Sequence, residues 1–290
     1  MSPIGSNTAE ARMEDCPFHA ILHPTDFSED NEAAFVHAVR LAVAGKSALH
    51  VLHVQEEPGV LAAEDRFPKA RRLFERWSLI EPGAEPGAVE ERLGVRIVNK
   101  SVASEDIASA IGAYTEANSC DLLVLATHAP GWFERLLAGS LAEESARLSH
   151  APALFLRAGA HGFVEPATGK IRLRRVLMPV SAEVAPMHAW GFASPLVRML
   201  EPTAEFHMLH VGDTLPTYGN LLPHVELRRG PVVETILEVA EEIGPDLIVM
   251  ATEGHKDLID AITGSTTEQV LREAPCPVLT APSRPRRVGV

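Results

Sequence analysis

Aromatic residues make up 5% of the sequence, and three of its 290 residues are cysteine. Cys16, Cys120 and Cys276 stand far apart with no CxxC pattern. That excludes a disulfide framework and points to a reducing compartment. No apolar run approaches the ~20 residues of a membrane-spanning helix. The stretch "MSPIGSNTAEARMEDCP" lacks the apolar centre of a signal peptide, so a cytoplasmic protein is expected. Basic residues are outnumbered, 26 against 39 acidic, for a formal net charge of −13. This balance argues against nucleic acid or an anionic membrane as partner. Two local basic clusters, Arg172, Arg174, Arg175 and Arg284, Arg286, Arg287, flank a linker and the tail and read as solvated. Signatures of nucleophilic, zinc-protease and P-loop chemistry are missing: there is no GxSxG, HExxH or GxxxxGK[ST].

The sequence does contain a repeat. "DLLVLAT" at 121–127 returns as "DLIVMAT" at 246–252, and "GSLAEESARLSHAPALFL" from Gly139 as "GSTTEQVLREAPCPVLTA" from Gly264. "HVLHV" at 50–54 returns as "HMLHV" at 207–211, and "ILHPTDFSE" from Ile21 as "VLMPVSAEV" from Val176. Two copies of one unit follow, over 15–160 and 171–282, joined by an ordered linker at 161–170. The lag is 157 residues at HxLHV and 125 at DLxVxAT, so the first copy carries about 32 extra residues, within 56–94. In that insertion Leu73, Trp77 and Ile80 recur at helical spacing, which predicts a helix over 63–80. Leaving from the end of the second strand, it would lie as a surface helix or a lid near the first copy's pocket mouth.

Each copy alternates strand and helix. "HAILHP" and "ALHVLHV" are short and β-leaning, and between them Ser28 is placed to cap a helix whose apolar face is Ala34, Ala38 and Leu41 and which Gly45 stops. "VRIVNKSV" is the next strand. Ser104, Glu105 and Asp106 open a helix that turns Ile107 and Ile111 inward. "DLLVLAT" is too apolar for a solvated face, as in a parallel sheet covered on both sides. Ser140 with Glu143, and Ser265 with Glu268, form capping boxes before the last helix of each copy. "APALFL" and "CPVLTA" are closing strands. The expected fold is α/β: two tandem doubly wound, parallel five-stranded sheets of Rossmann-like type, packed as a pseudo-dimer through those closing strands.

Ligands of such sheets bind beyond the carboxyl ends of the strands. The residues expected there are Pro24, Thr25 and Asp26 with Val180 and Ser181 after the first strands, and Val54 with Val211 at the second. After the fourth come Ala126, Thr127, His128 and Ala129, and in the second copy Ala251, Thr252 and Gly254. Gly139 with Ser140, and Gly264 with Ser265 and Thr266, then open helices whose unpaired N–H groups suit a phosphate. A plain helix cap is the competing explanation of the Gly-Ser pairs.

Taken together, "ILHPTDFSE", "LHVLHV", "DLIVMATEGHKDLIDAITGSTTEQV" and "APCPVLTA" resemble the universal stress protein family in its tandem form, over nearly the whole chain. The resemblance implies a cytoplasmic stress-response binding module that takes an adenine nucleotide, ATP or AMP, with or without Mg, and signals through an unidentified protein partner. It implies that Asp26 lies beside the ribose, that the Val54 backbone meets adenine, and that Gly-x2-Gly-x9-Gly-Ser/Thr cradles phosphate. The first copy has Asp26 but Ala126 and Ala129 in place of the first two glycines. The second keeps Gly254, Gly264 and Ser265, with Ala251 for the first glycine, Ser181 for the aspartate and Glu253 in the loop. Loop donors outweigh one ribose contact, which tilts the expectation to the second copy.

Other readings stay open. The chain could be a nucleotide-free interaction protein, or a slow ATP hydrolase, although no catalytic residue is assigned. His210, His224 and His255 are zinc candidates against the plainer reading as structural histidines. Neither "HPTDFSED" nor "MPVSAEVAP" has the SGGxDS-type loop of ATP pyrophosphatases, which argues against adenylation. A homodimer is neither implied nor excluded.

Overall fold

Ten short strands join into one sheet ordered β3-β2-β1-β4-β5-β10-β9-β6-β7-β8. The computed structural model describes residues 16–55, 64–85, 87–127, 151–157, 162–182, 184–217, 224–252 and 266–283. In the first copy β1 is Ala20–Pro24, α1 Glu32–Gly45, β2 Ala48–Gln55, α2 Ala70–Arg76, α3 Ala88–Leu93, β3 Ile97–Ala103, α4 Ile107–Ala117, β4 Leu122–Ala126 and β5 Ala153–Leu156. The second copy supplies β6 Arg175–Pro179, α5 Met187–Leu200, β7 Glu205–Val211, β8 Val225–Arg228, α6 Val232–Ile243, β9 Leu247–Thr252, α7 Thr266–Glu273 and β10 Val278–Pro282.

Pairing within each half is parallel. The halves meet where β5 and β10 pair antiparallel, with Phe155 opposite Val278, Leu154 opposite Leu279 and Ala153 opposite Thr280. The strand order therefore reads alike from both ends, which is the expected pseudo-twofold arrangement, and two edges that would attract other strands are covered. Arg157 Nη1 adds a bond across the seam to the carbonyl of Arg272 (2.8 Å).

Alternation along each strand sends successive side chains to opposite faces. Ile21, Leu122, Val124 and Ala126 pack under α1, α2 and α5, whereas Leu22, Leu123 and Leu125 pack under α4, α6 and α7. β4 is buried along its whole length. An acidic latch repeats in both copies. The Asp121 carboxylate accepts the N–H groups of His19 and Ala20 (2.9 and 3.0 Å), and Asp246 those of Arg174 and Arg175 (2.6 and 3.0 Å). The "D" of each DLxVxAT element thus ties the start of the neighbouring first strand.

Several local expectations are corrected. Ser28 makes no side-chain cap; its Oγ accepts instead from Asn31 Nδ2 (3.2 Å). Asp106 is the α4 cap, its carboxylate accepting from Ser109 N–H (3.1 Å), and Ser104 instead braces Asp106. Gly45 is the last residue of α1, and Lys46 makes the left-handed turn at φ 49°. Helix α2 covers Ala70–Arg76, not 63–80, because the chain turns left-handed at Ser78 (φ 56°). The capping pair at Ser140 lies outside the described residues, as does Ser265.

Phe67, Leu73, Phe74, Trp77 and Ile80 of the insertion are buried in the core beside α1. The insertion also holds the stretch before β6. Trp77 Nε1 donates to Pro166 O (3.0 Å) and Arg40 Nε to Gly169 O (2.9 Å). His37 completes the anchor. Its Nδ1–H donates to Ala33 O (2.8 Å), and its Nε2 accepts from Val164 N–H (3.1 Å).

Burial pushes His37 and His23 from 6.5 down to about 4. Both bind a proton more readily when unfolded, so their contribution to stability is complete above pH 6.5 and is lost as the pH falls through 4. Each amounts to on the order of 3 kcal/mol. Urea unfolding followed from pH 7 to 4 should show this loss, and His37→Gln, which has no proton to gain, should flatten it. An unchanged pH slope in that variant would remove His37 from the account.

Candidate functional site

The first strand has β2 on one side and β4 on the other, so the first copy's switch point lies between β1 and β4. At that end Pro24, Thr25, Asp26, Leu52, Val54, Ile107 and Ile111 line a cleft of about 40 Å³. Pro24, Thr25, Asp26 and Val54 were expected there. Leu52, Ile107 and Ile111 were not named as site residues, though the inward spacing of the isoleucines on α4 was the available signal. The roof of the cleft is apolar, and its one charge is Asp26.

The loop that carries Asp26 is fixed from several directions. Thr25 N–H donates to Leu52 O (2.8 Å), and His53 Nδ1–H donates to Thr25 O (2.8 Å). Phe27, at φ 66°, stacks on the His53 ring with centroids 4.2 Å apart. Asp26 Oδ1 accepts from Ser28 N–H and from Asn31 Nδ2. Among the described residues its Oδ2 has no partner. The carboxylate is thus oriented through one oxygen and offers the other.

Across the switch point, β4 ends at Ala126, which is buried, and Thr127 N–H donates to Leu156 O (2.9 Å). His128, Ala129, Gly139 and Ser140 lie outside the described residues. In the second copy Val180 and Ser181 follow β6, Val211 ends β7, Ala251 and Thr252 end β9, and Thr266 opens α7. Gly254, Gly264, Ser265 and the adverse Glu253 are outside the described residues. None of the described residues of 64–80 lines the Asp26 cleft. The lid expectation is therefore replaced: α2 packs on the opposite face of the sheet.

The repeated histidines have structural work. His210 Nδ1–H donates to Val180 O (2.8 Å) while Val180 N–H donates to Leu209 O (2.8 Å), the same frame as His53, Thr25 and Leu52. His50 Nδ1 lies 3.0 Å from the Tyr114 hydroxyl. Among the described residues no three His, Cys, Asp or Glu side chains are grouped to hold a metal. His224 is exposed, and the third zinc candidate, His255, lies outside the described residues.

A family model described as the universal stress protein family matches residues 17–157 and 222–282. A Synechocystis universal stress protein is 40% identical over 84 residues, 29% of this chain and 54% of its own length. One from Methanocaldococcus jannaschii is 43% identical over 56 residues, 19% of this chain and 33% of its own length. The chain thus spans between a third and about half of these relatives. The crystal structure of a universal stress protein from Archaeoglobus fulgidus matches with a TM-score of 0.59 at 20% identity, over 92% of this chain and 97% of that one. A functionally unknown protein from Pseudomonas aeruginosa gives 0.59 at 15% identity, over 94% of each chain. Likeness at these identities concerns the fold.

The clamp in the second copy depends on Gly212. A Cβ there would stand 2.7 Å from His210 Nε2, so the ring would have to shift against its bond to Val180. Gly212→Ala is expected to destabilise the protein by about 1–3 kcal/mol in urea unfolding. No change in midpoint or slope would mean that the imidazole bond is dispensable.

Proposed function

The chain belongs to the universal stress protein family, and from that premise we propose that it is a stress-response binding module holding an adenine nucleotide in the cleft beside Asp26. The observation that carries this reading is the composition of that cleft. Leu52, Val54, Ile107 and Ile111 give a flat ring apolar walls, and an oriented carboxylate with one unpaired oxygen suits ribose hydroxyls. β4 ends at the same edge with Ala126 and Thr127. This reading departs from the sequence expectation of the second copy, where Gly254, Gly264, Ser265 and Thr266 follow β9 but Ser181 offers a hydroxyl where the first copy offers a charge. The module would act through a protein partner, and no residue is assigned to turnover.

Protein purified quickly and denatured should release an adenine nucleotide identifiable by mass spectrometry. Equilibrium dialysis with ATP and AMP, with and without Mg, then assigns the site. Val54→Trp, which fills the cleft, is expected to weaken binding at least tenfold. Asp26→Ala should weaken it by roughly 1–2 kcal/mol, the worth of a charge-assisted hydrogen bond. Gly254→Val should leave it unchanged; loss in that variant alone moves the ligand to the second copy. If nothing is released and no variant matters, the chain is an interaction protein working through its surfaces. Phosphate release above the Val54→Trp background would add slow hydrolysis.

A further inference from the structure

A larger cavity, of about 320 Å³, lies on the other face of the same sheet, between the start of α1 and helix α2. Its size falls in the range that small-molecule sites occupy. Phe27, Phe35, Val36 and Leu73 give it apolar walls. Arg66, Lys69, Arg72 and Arg76 bring four cations to its rim, against a single acid, Glu32. In a chain of net charge −13 this is a pronounced local reversal. Lys69 Nζ donates to a backbone oxygen, that of Glu64 (2.7 Å), and Arg66 lies over the Phe27 ring at 4.9 Å. Among the described residues no carboxylate pairs with any of the four.

Two residues of the lining also carry a buried polar atom without a partner. His23 is fully buried and donates from Nδ1 to Val124 O (2.9 Å), which leaves Nε2 as a bare acceptor. Asn31 is 3% exposed and uses Nδ2 on Asp26 and Ser28, which leaves Oδ1 bare. Buried acceptors without a donor are rare and costly. Here both belong to the lining of one cavity, where a guest could supply the missing O–H or N–H groups.

We propose that this cavity is a second ligand site, for a small organic anion that has an apolar body and at least one hydrogen-bond donor. The guanidinium groups receive the anion, for which their planar forks are well shaped. The rings and aliphatic side chains cover the body, and His23 Nε2 and Asn31 Oδ1 accept from the donors. The site stands independently of the nucleotide reading, since the Asp26 cleft lies on the opposite face and shares only Thr25 with it.

The probe is 8-anilinonaphthalene-1-sulfonate, which combines a sulfonate, an aromatic body and an anilino N–H. Fluorescence titration should show one saturable site per chain, weakened at least tenfold in the double variant Arg72→Gln, Arg76→Gln. Both side chains are exposed, and an unchanged thermal midpoint confirms that the variant is folded. Val54→Trp should leave the probe bound. 2-Hydroxyoctanoate should displace it, and octane-1,2-diol, which has chain and donors but no charge, should not. Unsaturable binding, equal affinity in the folded double variant, loss in Val54→Trp, or equal displacement by the diol would each overturn the proposal.

Discussion

In each copy the first and fourth strands register over two residue pairs, Ile21–Leu122 and Leu22–Leu123 in one, Val176–Leu247 and Leu177–Ile248 in the other. The carboxyl edge follows from the brevity of that contact. The carboxylate latch of Asp121 or Asp246 ties its beginning. Toward its end β1 reaches Pro24 and β6 reaches Pro179, neither of which has an N–H to extend a ladder. In the first copy the imidazole of His23 meets the Val124 carbonyl where backbone pairing has stopped. A sheet that stopped pairing at its centre would normally leave bare polar groups; here side chains take them and space opens on both faces.

What holds the loops beyond these prolines is again a side chain on backbone. His53 and His210 reach from the second strand of each copy to the carbonyl that follows the first. The donor comes from the neighbouring strand, so the loop is positioned by the sheet itself. Asp26 then stands as the charge at the first cleft, fixed through Ser28 and Asn31, and the second copy has the same frame without that carboxylate. The frame and the chemistry it carries are therefore separable, which is how one scaffold can present two different surfaces to solvent.

The repeat, the strand order and the pairing of the closing strands were legible because they rest on patterns that survive in sequence: apolar runs, recurring DLxVxAT elements and edges needing cover. Of the cleft, Pro24, Thr25, Asp26 and Val54 were legible from their places at strand ends. The roles of Asp121 and Asp246 were not, since an aspartate before a strand looks like any turn residue until its backbone partners 71 to 102 residues away are in place. Nor was the face on which the insertion packs. Lys69, Arg72 and Arg76 stand three and four residues apart, but a sequence does not say whether that side of a helix meets water or the start of α1. Trp77 illustrates the same limit: helical spacing flagged it, and its indole turned out to hold Pro166.

A pair of identical chains joined as β5 and β10 are joined here would have to be its own complement, with every contact made twice. Joining the halves in one polypeptide lifts that requirement, and the seam shows it. Leu154 and Leu279 occupy equivalent places in the two copies and face one another. On one side of them Phe155 faces Val278, and on the other Ala153 faces Thr280. Two first halves would set Phe155 against Ala153 twice, and two second halves Val278 against Thr280 twice. Neither combination is the one present, so the two sides of the seam are unlike partners.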